Sequence, residues 1–135
     1  MTELDHQYVF FVDLNRGITE SFGAAVGQVV REGRHASPEE VRSRLPVKLG
    51  QLMLKHISYA EKATREGSLS VAGVCADFLH AILIYRASSE KEAERLFRRD
   101  PYRRAGVYKK WRVYEWNPNA GVWWNLLQRV HHVAD

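Results

Sequence analysis

Apolar and polar positions along the chain change period several times, and each change marks an element. Gln7-Tyr8-Val9-Phe10-Phe11-Val12-Asp13 is dense in aromatic and β-branched residues and predicts a central strand over residues 7–13, apolar on both faces. After Leu14-Asn15-Arg16-Gly17, apolar residues recur at Phe22, Val26, Val29 and Val30, a helical spacing, and Gly33 stands where a helix would end. Ser37-Pro38-Glu39-Glu40 has the makings of a helix start, with a capping hydroxyl and proline at the first helical position. Pro46 interrupts that helix and restarts it. From there to Glu66 the apolar face runs Leu49, Leu52, Met53, His56, Ala60 and Ala63, with one polar member, His56.

Ser68 to Cys75 alternates with period two, which predicts a strand with Leu69, Val71 and Cys75 on one face. Ala76-Asp77 reads as a tight turn and Phe78 to Tyr85 as the returning strand of a hairpin. Ser88-Ser89-Glu90-Lys91-Glu92 opens another helix with capping residues and first-turn acids. Val107 to Trp116 is the last strand. After Asn117-Pro118-Asn119, a helical tail carries Val122, Trp123, Leu126, Leu127 and Val130 on one face; so apolar a helix is expected to dock on its own subunit or a partner.

The order β, helices, β, β, α, β predicts an α+β fold, a ferredoxin-like βαββαβ with a four-stranded antiparallel sheet and helices on one face. An extra helical insertion is expected over residues 14–45 and a C-terminal helical tail over 117–135, around a core of about 7–13 and 46–116 in a single domain of 135 residues. The bare sheet face favours a homodimer.

Composition narrows the partners. The apolar runs are strand-length, well short of the roughly 20 residues of a membrane helix, so no membrane role is expected. The acidic start, Thr2-Glu3-Leu4-Asp5, predicts no secretory leader, and the single cysteine, Cys75, excludes an internal disulfide and fits a cytoplasmic protein. A net charge of +4, concentrated between Arg95 and Arg112, suits an anionic small molecule. The aromatic sheet motif of RNA-binding relatives of the fold is missing, so no nucleic-acid partner is expected. His131-His132 and Asp135 form no zinc-ligand spacing, and no phosphate-binding glycine loop is present, so neither a metal nor a cofactor is expected.

The most specific stretch is Asp100-Pro101-Tyr102, followed after two residues by Ala105-Gly106-Val107-Tyr108. With His56-Ile57-Ser58-Tyr59, the Leu69 to Gly73 strand and the Ser88-Ser89-Glu90-Lys91-Glu92-Ala93 helix start, it resembles the YCII-related (YciI-like) family over about residues 46–116. That resemblance implies a dimeric α+β barrel in which His56 and Asp100 form an acid/base pair. The wider superfamily includes muconolactone isomerases, a dehydrochlorinase of aromatic breakdown and small monooxygenases, none as a rule needing a cofactor. The implied function is a cofactor-free isomerase, lyase or dehydrohalogenase acting on a small cyclic or aromatic acid. Tyr59, Tyr102, Arg103 and Tyr108 are candidate substrate-binding residues, Arg103 as the partner of a substrate carboxylate.

Simpler readings stand beside these. Asp100 before Pro101 is a helix N-cap pair that needs no chemistry, and His56 can be a core histidine held by a backbone carbonyl or by Tyr59. The extra segments fit a non-catalytic dimeric ligand- or protein-binding module, and the same scaffold can serve a cofactor-free monooxygenase of polyphenols.

Overall fold

The computed structural model describes residues 6–122; the tail pattern from Trp123 onward and the His131-His132 pair lie outside the described residues. The elements are β1 (His6–Leu14), α1 (Arg16–Arg31), α2 (Pro38–Ser43), α3 (Val47–Arg65), β2 (Leu69–Val74), β3 (His80–Ala87), α4 (Glu90–Arg98), α5 (Pro101–Arg104) and β4 (Tyr108–Trp116). The four strands form an antiparallel sheet in the order β2-β3-β1-β4, so the fold is α+β with ferredoxin-like topology.

Alternation along β1 divides the sheet into two faces. Tyr8, Phe10, Val12 and Leu14 join Ala81, Leu83 and Tyr85 of β3 under the helices, where Phe97 of α4 stacks on Phe10 at 4.4 Å. The opposite face pairs Phe11 with Ile82, and Phe11, Ile82, Tyr114 and Trp116 stay exposed there. A second cluster, Ala25, Val41, Leu45 and Met53, sits between α1, α2 and α3. Helix α3 bridges the two clusters, giving Leu52, Ala60 and Ala63 to the first and Leu49, Met53 and Ile57 to the second.

The caps explain most element ends. Ser37 accepts from the Glu40 amide at 3.2 Å, Ser89 from the Glu92 amide at 3.1 Å, and Gly33, Gly67 and Gly106 close helices with positive φ. Helix α1 begins earlier than the periodicity suggests, because the Asn15 side chain accepts from the Gly17 amide at 3.1 Å and acts as a cap.

Two details of the hairpin differ from the alternation. A register shift between Leu69 and Val71 places Leu69 opposite Tyr85 in the core and Val71 opposite Ile84 on the outer face. The turn is also longer than Ala76-Asp77. Phe78 leaves the strand at φ 58°, its amide bonded to the Cys75 carbonyl at 2.9 Å, while Asp77 accepts from the Leu79 amide at 2.8 Å. An aromatic residue in the left-handed region is strained.

Candidate functional site

The site starts with the chain reversal between α4 and β4. Asp100 is extended, at φ −63° and ψ 128°, and Pro101 occupies the first helical position, so the first free amide of α5 is that of Tyr102. Asp100 Oδ1 accepts from that amide at 2.9 Å. Gly106 at φ 81° ends the turn, and the Val107 amide returns to the Tyr102 carbonyl at 2.9 Å, which starts β4 at Tyr108 beside the same carboxyl group. The Tyr108 hydroxyl donates to Asp100 Oδ2 at 2.9 Å.

Helix α3 brings the third donor. His56, on the helix face between the two apolar clusters, places Nδ1 2.8 Å from Asp100 Oδ1. Asp100 is 1% exposed, so its carboxylate is answered from α3, α5 and β4 together, as a buried charge must be. The cap reading and the His56 contact therefore hold at once. A carboxylate without its proton only accepts, so in this contact Nδ1 is the donor and Nε2 is the ring nitrogen left to face a ligand. Among the described residues Nε2 has no hydrogen-bond partner. Tyr102 lies flat on the imidazole, centroids 3.8 Å apart and planes within 7°, and fixes its tilt.

Beside His56 lies a cavity of about 260 Å³. Its floor is the sheet, through Leu14, Ala81 and Leu83, continued by Val107 and Tyr108. The hairpin adds Ala72, Gly73, Val74 and Phe78, and α1 adds Thr19, Phe22 and Val26. His56 and Tyr102 complete it. Burial first, and the charge of Asp100 second, push the phenols of Tyr102 and Tyr108 well above their ordinary value, so both stay protonated donors at neutral pH.

Of the residues expected at a site, His56, Asp100, Tyr102 and Tyr108 come together. Two others are placed elsewhere. Tyr59 does not line the cavity, because its hydroxyl donates to the Leu96 carbonyl at 2.5 Å. Arg103 does not line it either: its guanidinium lies over the Trp111 ring at 5.7 Å, with Arg98 at 5.4 Å. Among the described residues no lysine or arginine lines the cavity, so none of them is placed to make the expected pairing with a substrate carboxylate.

Thr19, Phe22, Val26 and Phe78 were not singled out from the sequence. Phe22 and Val26 carried a signal, a pair one helical turn apart on the apolar face of α1, but nothing said that this face looks onto His56. Phe78 carried a misleading one, since it continues the alternation of β3. Among the described residues no group of three or more His, Cys, Asp or Glu is arranged to hold a metal ion. Nor is any helix among them long and apolar enough to cross a membrane.

No curated protein matches the chain. Among solved structures, it is similar to 5-chloro-2-hydroxyhydroquinone dehydrochlorinase from Burkholderia phenoliruptrix AC1100, in complex with 2,5-dihydroxybenzoquinone, at 16% sequence identity and a TM-score of 0.49, covering 84% of this chain and 95% of that one. At that distance nothing of that enzyme's chemistry carries over. The model of the YCII-related domain matches residues 35–117, more than half of the chain and the whole stretch from α2 to β4. The Asp-Pro-Tyr turn, the α3 histidine and the hairpin between them all fall inside that match, and the chain belongs to the YCII-related domain family.

Proposed function

We propose that the protein is an acid/base enzyme working without a cofactor on a small cyclic compound, with His56 as the proton-transferring group and Asp100 as its orienting partner. The observation that carries this reading is the 2.8 Å contact between His56 Nδ1 and the buried Asp100 beside an apolar cavity. Nε2 takes a proton from a ring hydroxyl or from a carbon next to a carbonyl, and returns it to another atom of the substrate in an isomerisation or to a leaving group in an elimination. Asp100 holds the tautomer that leaves Nε2 basic and faces the positive charge the ring then carries. Tyr102, stacked on the imidazole, keeps its plane in place during the transfer.

His56→Gln preserves size and some hydrogen bonding and loses the titrating ring. Positioned general bases contribute about 10²- to 10⁴-fold. With an identified substrate, kcat is expected to fall by at least about 10²-fold in His56→Gln while the fold and ligand binding persist. Unchanged turnover would falsify the assignment.

The exposed Phe11, Ile82, Tyr114 and Trp116 favour a homodimer formed across the outer sheet face. Light scattering of wild type and of Phe11→Glu tests it: the substitution converts the dimer to monomer, and a wild-type monomer removes the idea.

A further inference from the structure

We infer that the cavity selects an uncharged ring carrying a hydroxyl, a phenol or enol, over the corresponding carboxylate. This rests on the acid/base reading of His56 and names its substrate class. Among the described residues no lining side chain carries a fixed positive charge, and Arg98 and Arg103 are engaged over the ring of Trp111, which is not among the lining residues.

A carboxylate stands directly behind the lining, the wrong sign for an acid. Asp100 lies 2.8 Å from His56 and 2.9 Å from the Tyr108 hydroxyl, and both of those residues are lining residues. Its charge, after burial, helps hold the neighbouring phenols of Tyr102 and Tyr108 above their ordinary value. A carboxylate entering there would lose water, gain no cation and approach a like charge.

Size and shape agree with a single ring. A dry cavity of about 150 Å³ accepts benzene, so about 260 Å³ leaves room for one ring with small substituents. The walls are themselves rings: Tyr102 on His56, Phe22 at 5.9 Å from Tyr102 in an edge-on arrangement, and Phe78 from the hairpin. Polar atoms are few. His56 Nε2 and the Tyr102 hydroxyl have no partner among the described residues, which suits one or two hydroxyls on an otherwise apolar ring.

The test uses an isosteric pair, 4-hydroxybenzamide and 4-hydroxybenzoate, titrated at pH 7 into the full-length protein and followed through the His56 and Tyr102 NMR resonances. The amide is expected to bind at least tenfold more tightly than the acid and to move both resonances. The preference is expected to shrink in folded Asp100→Asn. Equal or tighter binding of the acid, binding of neither probe, or an undiminished preference in Asp100→Asn overturns the inference. The catalytic reading is decided separately, by turnover in His56→Gln, so an acid-preferring but His56-dependent enzyme would refute the charge argument alone.

Discussion

The two walls of the cavity come from different kinds of chain. One wall, His56, Tyr102 and Tyr108 around Asp100, is polar, lies within the residues matched by the family model, and is held by directional hydrogen bonds. The facing wall includes Thr19, Phe22 and Val26 of α1, which precedes that match, and it is held by apolar packing against α2 and α3. The difference separates chemistry from shape. A hydrogen-bonded carboxylate tolerates almost no change of partner, whereas an apolar wall adjusts its volume at modest cost. If His56 acts as proposed, substitutions in α1 are expected to change which molecule fits, and substitutions around Asp100 to change what happens to it.

Alkali gives the largest expected effect and acts on the hydrogen-bonded region. Tyr85 and Tyr108 are buried phenols, raised first by desolvation and then by the charge of Asp100. Unfolded, they ionise near an ordinary value of about 10. A raised acid binds its proton more tightly in the folded state, so the contribution is fully present below pH 10 and is lost as pH rises above it, by about 1.4 kcal/mol per pH unit for each such tyrosine. Urea melts from pH 8 to 11.5 should show a plateau and then a steep fall. A flat profile to pH 11.5 would mean that these phenols are not shielded as described.

Next comes Asp100→Ala, which removes the cap of α5 and strands the His56 Nδ1 hydrogen and the Tyr108 hydroxyl. A cap is worth about 1 kcal/mol, and breaking a buried charged network about 3 kcal/mol or more. Asp100→Asn keeps the cap acceptor and should lose clearly less. Denaturant midpoints of the pair separate capping from the rest of the network, and equal losses would assign the whole effect to the charged network and none to the cap.

Phe22→Ala sharpens the other half of the comparison. The residue packs on the α1–α3 cluster and against Tyr102, so a loss of about 2 kcal/mol in stability is expected, together with weaker ligand binding. The proton-transfer step should be spared. An increase in KM with kcat held within about threefold supports the division into shape and chemistry; a kcat loss like that of His56→Gln dissolves it.

Phe78→Gly is the smallest effect in stability and the cleanest in meaning. Glycine relieves the strain of φ 58°, worth on the order of 1 kcal/mol, while adding unfolded-state entropy of similar size. The net change by urea melt should therefore stay below about 1 kcal/mol even though an aromatic ring is gone. The cavity, having lost a wall, should bind its ligand more weakly. A loss above about 2 kcal/mol would show that the Phe78 ring is structural rather than a boundary of the cavity.

How much of this was readable beforehand depended on the range of the interaction. Caps are local, so Ser37, Ser89 and Asp100 announced α2, α4 and α5 directly. Strands β1 and β3 followed from their aromatic and β-branched composition, but which of their faces lies under the helices did not. What escaped were departures from period with non-local causes. The β2 register shift sends Leu69 and Val71 to opposite faces, and Phe78 turns out of its strand to lie over Gly23 of α1. Asn15 was legible as a cap only if Arg16-Gly17 was not read as the end of a loop. His56 and Asp100 stand 44 residues apart, and no local pattern joins them; their pairing was anticipated through the family resemblance, as was the lining by Tyr102 and Tyr108. Arg103 and Tyr59 were misplaced for the converse reason. A nearby aromatic ring and a free backbone carbonyl, which the motif does not mention, claimed their polar ends.

The carboxylate of Asp100 has a consequence for how the molecule is made. Its three donors arrive on α3, α5 and β4, elements that are separate in the chain, and none of them alone repays the cost of taking a charge out of water. A partly assembled chain, with α3 undocked or β4 unpaired, leaves that charge short of a partner. The carboxylate has its full set of donors only when α3, α5 and β4 are all in place, so the imidazole resonance of His56 is expected to distinguish finished molecules from nearly finished ones.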